Sequence, residues 1–268
     1  MEVVVRDRRV RATTGGRPLD HDLPLLLFIH GAGTDRTMWV LQTRYFATHG
    51  WSVVAVDLPG HGRSEGPTVD TVEELVGWTV DLIAETGWSR AAIVGQSLGS
   101  VVALQTAADH PDLVTGLVLV ATAAALPVNA RLLEAAEMDP PRAWDMVMAW
   151  SLARSSQIGG HATPGLWMRD SIRQIMATAP PQALHTSLNA ADNYRGGLEA
   201  ASRVTCPTLL LLGEQDRMVP CRTAEPLAQA IAHSETMIIP DAGHQLVTEQ
   251  PDIALNAMAE FLTTLSQR

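Results

Sequence analysis

Three residues far apart in the chain, Ser97, Asp216 and His244, are of the types that nucleophilic acyl chemistry requires. A serine hydroxyl is a weak nucleophile at neutral pH, so a base must take its proton and an acid must hold that base in the useful tautomer. Ser97 stands in GQSLGS, between Gly95 and Gly99, while Asp216 stands in GEQDRMVP and His244 in DAGH. Small residues on either side of the serine suit a tight turn that lifts its hydroxyl out of the packing. The oxyanion formed during acyl transfer needs fixed backbone N–H donors. Leu98, in the first turn after Ser97, and Ala32, in HGAG, are the expected donors.

For these residues to meet, the chain must bring distant segments to one edge. The runs PLLLFIH, SVVAVD, AAIVGQ, GLVLVAT, TLLLLG and ETMIIPD are short, apolar and mostly rich in β-branched residues or leucine, as buried strands are. Helix-like segments alternate with them. TVEELVGWTVDLIAETG begins at Thr71 with Glu74 three residues on, a capping-box signal. Strand and helix alternating over short connections predict an α/β fold, a mainly parallel central sheet covered by helices. Such sheets gather ligands beyond the carboxyl ends of their strands, where Ser97, Asp216 and His244 all fall.

The alternation stops between residues 129 and 195, where the segments are helix-like throughout. The expected organisation is a core domain of residues 1–128 and 196–268, interrupted by a helical cap of residues 129–195. The large apolar residues Trp144, Met148, Trp150, Trp167 and Met168 of this insertion either line an apolar pocket above the serine or pack inside the cap, with Trp144, Met148 and Trp167 taken as the pocket candidates. Its arginines, Arg142, Arg154, Arg169, Arg173 and Arg195, are candidates to meet a carboxylate-bearing substrate, and His161 and His185 are further polar candidates for the pocket.

Other residues have structural readings. Asp241 is the nearest rival to Asp216, but three residues before His244 it belongs to the turn. His30 is expected to shape the loop beside Ala32, Asp57 to stabilise a turn, and His61 and His110 are poor bases by position. Neither glycine-rich loop carries a nucleotide-binding pattern. Cys206 and Cys221 are too few for a disulfide framework and lack a ligand cluster of zinc spacing, so no metal is expected.

A net charge of −10 argues against nucleic acid and acidic membrane surfaces, and 46% hydrophobic with 18% charged residues suits an ordinary globular chain. No apolar run has the length of a signal or membrane segment, so a cytoplasmic protein with a small-molecule substrate is expected. Assembly state is left open.

HGAG, DLPGHGRS, GQSLG, GEQDRMVP and DAGH occur in an order that resembles the α/β-hydrolase fold family, with a cap-like insertion before GEQD. The resemblance spans almost the whole chain. It implies Ser97 as nucleophile, His244 as base, Asp216 as orienting acid, Ala32 and Leu98 as the oxyanion hole, and no cofactor. The implied reaction is hydrolysis of a small or medium, largely apolar carboxylic ester or lactone through an acyl enzyme. Carbon–carbon bond hydrolysis of a dienoic diketone, cofactor-free perhydrolysis and a non-catalytic ligand-binding module are the alternatives. Serine at the elbow disfavours relatives that use an aspartate nucleophile.

Overall fold

The computed structural model describes residues 1–160 and 167–266. The chain opens with a hairpin for which the sequence shows only local strand character. Strands β1 (Glu2–Val5) and β2 (Arg8–Thr13) pair antiparallel across a turn in which Arg6 and Asp7 have φ of 51° and 59°. Two successive positive φ angles match the twist of the flanking strands.

The remaining strands are β3 (Leu25–Ile29), β4 (Ser52–Val56), β5 (Ala91–Gln96), β6 (Val114–Val120), β7 (Thr208–Gly213) and β8 (Ser234–Ile239). The sheet order is β1-β2-β4-β3-β5-β6-β7-β8, with β3 through β8 mutually parallel and β2 antiparallel to β4. The chain moves outward from β3 to β4, then returns to place β5 on the other side of β3. This reversal opens a crevice between the loops after β3 and β5, the loops of Ala32 and Ser97.

Both faces of the sheet are covered by helices, which is why β3, β4, β5 and β7 are buried at every residue. Helices α1 (Val40–Phe46), α2 (Val72–Glu85) and α3 (Leu98–Asp109) follow the early strands. Side chains alternate across the pleat: Leu25, Leu27 and Ile29 share one apolar cluster with Leu82 of α2 and Val101 of α3, while Leu26 and Phe28 face Phe46 of α1. The capping box of α2 forms as its sequence predicts, with the Thr71 hydroxyl accepting from the Glu74 N–H at 3.3 Å.

Between β6 and β7 lie α4 (Ala130–Met138), α5 (Pro140–Ser151), α6 (Arg154–Gln157), α7 (Met168–Thr178), α8 (Ala183–Asn193) and α9 (Gly197–Arg203). Leu132, Val147, Met148, Met168, Ile172 and Leu188 form an apolar cluster distinct from the two that flank the sheet. Ala200 and Ala201 of α9 instead join the sheet's own core. After β7 come α10 (Glu225–Ala230), α11 (Leu246–Glu249) and α12 (Pro251–Ser266), the last lying against the face shared with α1.

Candidate active site

Ser97 occupies the turn between β5 and α3 with φ 52° and ψ −116°, a backbone conformation that side-chain-bearing residues rarely adopt. The turn is held by close packing. A Cβ on Gly95 would lie 2.1 Å from the Gly99 carbonyl oxygen, and one on Gly99 would lie 2.4 Å from that of Ile29 in β3. Glycine at both places lets strand and helix approach until the serine stands at their junction. Leu98 is the first residue of α3, whose leading N–H groups lack partners within the helix. Ala32, beyond β3, lines the same cavity as Ser97.

His244 comes from the loop after β8 and Asp216 from the loop after β7. Both are buried, and His244 Nδ1 lies 2.7 Å from Asp216 Oδ2. A carboxylate only accepts, so Nδ1 carries the proton and Nε2 is left as the basic nitrogen. The other carboxylate oxygen, Oδ1, accepts from the backbone N–H groups of Met218 at 2.8 Å and Val219 at 2.9 Å. Asp241 is exposed and accepts from Gln215 Nε2 at 3.1 Å, in keeping with a role in its turn.

The support of His244 is the part that sequence reading missed. Its N–H donates to the Ser151 carbonyl at 2.6 Å, and its own carbonyl accepts from Gln96 Nε2 at 3.2 Å. Glu249, fully buried on α11, accepts from the Gly243 N–H at 2.9 Å through Oε1 and from the Ala153 N–H at 2.8 Å through Oε2. Burial raises the pKa of this carboxyl, opposed by the hydrogen bonds it accepts. A glutamate five residues after the histidine, at the end of a short helix, is the only local signal for it.

Ser97 and His244 face one cavity of about 530 Å³. Its walls are mostly apolar, with Leu126, Pro127 and Val128 after β6, Leu132 of α4, and Leu188 and Ala191 of α8. Trp150, Asn129, Arg217, Met218 and Val219 complete the lining. None of Trp144, Met148 and Trp167 is part of it. Met148 is buried in the insertion's own cluster, Trp144 packs at the edge of that cluster with Arg173 5.5 Å from its ring, and Trp167 is 64% exposed. Helix geometry accounts for the difference: residues 144 and 148 share a face of α5, whereas Trp150 projects from nearly the opposite side.

None of the insertion's five candidate arginines is among the described walls of the Ser97 cavity. Arg173 pairs with Asp145 at 3.3 Å, and Arg195 donates to the carbonyls of Asp192 and Tyr194. Arg154 and Arg169 line other recesses, and no described wall of the Ser97 cavity comes from Arg142 or His185. His161 lies outside the described residues.

His30 and His61 are structural and neutral. His30 Nδ1 donates to the Gly31 carbonyl at 2.8 Å while Nε2 accepts from the Leu58 N–H at 3.0 Å. His61 Nδ1 donates to the Pro59 carbonyl at 3.0 Å, and Nε2 accepts from the hydroxyl of Ser187 on α8 at 2.9 Å. Asp57 pairs with Arg36 and accepts from the backbone N–H groups of Arg36 and Arg63 at 2.9 and 2.8 Å, organising the turn as expected. Cys206 and Cys221 are free thiols, the first buried and the second partly so. Among the described residues no His, Cys, Asp and Glu cluster is arranged to hold a metal, and no helix is long and apolar enough to cross a membrane.

Comparison with known proteins agrees with this architecture. A family model described as alpha/beta hydrolase fold matches residues 24–251. The pimeloyl-[acyl-carrier protein] methyl ester esterase of Neisseria meningitidis is 33% identical over 226 residues, covering 81% of this chain and 84% of that protein. The (E)-2-((N-methylformamido)methylene)succinate hydrolase of Acinetobacter baylyi is 25% identical over 254 residues, covering 89% of this chain and 90% of its own. The enol-lactonase of Burkholderia xenovorans superposes with a TM-score of 0.88 at 23% identity, covering 98% of this chain and all (100%) of that one.

Proposed function

This chain belongs to the alpha/beta hydrolase fold family and is a hydrolase, and from that premise we propose that it cleaves a small or medium carboxylic ester or lactone through Ser97, His244 and Asp216. The observation that carries the reading is the buried Asp216–His244 pair at 2.7 Å, which faces the base into the cavity that also exposes Ser97. The relatives named as an ester esterase and an enol-lactonase agree with an ester or cyclic ester as substrate.

In the proposed reaction His244 Nε2 takes the Ser97 proton as the hydroxyl oxygen attacks the carbonyl carbon. The Leu98 and Ala32 N–H groups hold the resulting oxyanion, and Asp216 stabilises the imidazolium. The imidazolium gives its proton to the leaving oxygen as the carbon–oxygen bond breaks, leaving Ser97 acylated. Water, deprotonated by the same nitrogen, then attacks the acyl enzyme and restores the serine. The insertion between β6 and β7 serves as a cap, since α4, α5 and α8 contribute walls that keep bulk water from the apolar part of the cavity.

Exposure to a small fluorophosphonate, followed by intact-mass and peptide analysis, tests the reading. The expected result is one adduct on Ser97, absent in Ser97→Ala, together with turnover of short p-nitrophenyl esters. A folded protein that shows neither labelling nor turnover would sink the proposal and favour a binding module.

A further inference from the structure

Among the described residues, the lining of the Ser97 cavity contains one permanently charged side chain, that of Arg217. It follows Asp216 directly on the loop after β7 and is exposed, so it stands at the mouth rather than in the floor. Its guanidinium Nη2 donates to the carbonyl of Ala149 near the end of α5, which ties the fork to the insertion. The ion pairs formed among the described residues do not include it. The nearest carboxylate in sequence is Asp216, whose oxygens are committed to His244 and to two backbone amides. Exposed Glu214 borders the adjoining recess that Arg217 also lines, together with Arg154 and Gln157.

A guanidinium has five N–H donors in a planar fork that matches a carboxylate, and one bond to a backbone carbonyl leaves most of them available. Among the described residues the rest of the cavity offers no other fixed charge and only Asn129 as an uncharged amide, against walls that are otherwise largely apolar. The chain carries a net charge of −10, so an anion approaching it meets repulsion unless a local cation offsets the field. A positive group at the mouth of an apolar cavity, tethered and without an acidic partner, selects for a substrate with negative charge at one end.

We propose that Arg217 is a specificity-determining residue that pairs with a free carboxylate on the substrate. The preferred substrate is then an anionic ester or lactone, its carboxylate held at the mouth and its apolar remainder reaching inward to Ser97. This rests on the hydrolase reading of the site, and it places the recognition charge on the core loop beside Asp216 instead of on the cap arginines.

The test compares matched esters that differ in one carboxylate: mono-p-nitrophenyl glutarate against p-nitrophenyl pentanoate for charge on the acyl side, and 3-acetoxybenzoate against phenyl acetate for charge on the leaving side. The expected result is a lower KM for the anionic member of at least one pair, a preference that weakens as ionic strength rises. Arg217→Gln, which keeps an amide donor for the Ala149 carbonyl, is expected to raise KM for that anionic ester 10- to 100-fold, at least tenfold more than for its neutral partner, with the smaller change in kcat. Arg217→Lys should recover part of the preference. Turnover of the neutral esters with no anionic preference in either pair, or an equal loss on both members in Arg217→Gln, overturns the assignment of Arg217 while leaving the hydrolase reading intact. Failure of all four esters together with no fluorophosphonate adduct on Ser97 overturns the hydrolase reading, and the assignment falls with it.

Discussion

Asp216 divides its carboxylate, giving Oδ2 to His244 Nδ1 at 2.7 Å and Oδ1 to the N–H groups of Met218 and Val219 at 2.8 and 2.9 Å. The two amides fix which oxygen faces the imidazole, and the carboxylate has no donor with which to accommodate the other tautomer.

Asp216→Asn should therefore fail in a specific way. The side-chain oxygen stays with the two backbone amides, the NH2 turns to Nδ1, and His244 must carry its proton on Nε2, where it cannot accept from Ser97. Steady-state kinetics should show kcat lower by roughly 10³- to 10⁴-fold, with circular dichroism and melting little changed. A folded variant with near-native kcat would remove Asp216 from the mechanism.

The buried histidines predict acid sensitivity. Desolvation, followed by the charge of neighbouring His30, pushes His61 down to about 4, and desolvation lowers His30 as well. An unfolded histidine takes its proton near pH 6.5. Between about pH 6.5 and pH 4 the unfolded chain therefore binds more protons than the folded one, so the stability is complete above this window and is lost as pH falls through it. For His61 the loss is on the order of 3 kcal/mol. Urea unfolding at pH 7 and pH 5 should show a smaller fall in His61→Gln than in the native chain; parallel falls would show that His61 does not titrate this way.

Gly99→Ala tests the packing of the elbow. The added methyl would lie 2.4 Å from the carbonyl oxygen of Ile29 and 2.8 Å from that of His30, both fixed in or next to β3. Neither backbone atom can move without disturbing the centre of the sheet, so the variant should lose about 2 kcal/mol or more. Thermal unfolding measures this directly. An unchanged melting temperature would mean that helix and strand have more freedom at this turn than their separation indicates.

The parallel sheet and the strand-end positions of Ser97, Asp216 and His244 are legible in the sequence because both rest on local pattern. A doubly covered strand must be apolar throughout, and a loop after such a strand must open at the carboxyl edge. The orientation of α5 is less legible: Trp144, Met148 and Trp150 are alike in character, and only the direction from which the sheet approaches decides that Trp150 meets the cavity. Arg217 and Glu249 escape sequence reading for a related reason. Each is an unremarkable charged residue in its own segment, and its position acquires meaning from Ala149, Ala153 and Gly243, residues that come near only after folding. The opening hairpin likewise joins the sheet through Ala12 and Thr13 pairing with Val56 and Ala55, residues distant in sequence.

Ser151 and Ala153 belong to the inserted segment, yet one receives the His244 N–H and the other donates to Glu249, which in turn holds Gly243. The insertion is thus no interchangeable module seated on a self-sufficient catalytic platform. A chimera that exchanged residues 129–195 wholesale would have to set a backbone carbonyl opposite the His244 N–H and a backbone N–H opposite buried Glu249 in the same places. A graft that keeps residues 151–153 would still have to meet Arg217 at Ala149 and His61 at Ser187, so the insertion is bound to the rest of the chain at several separate points.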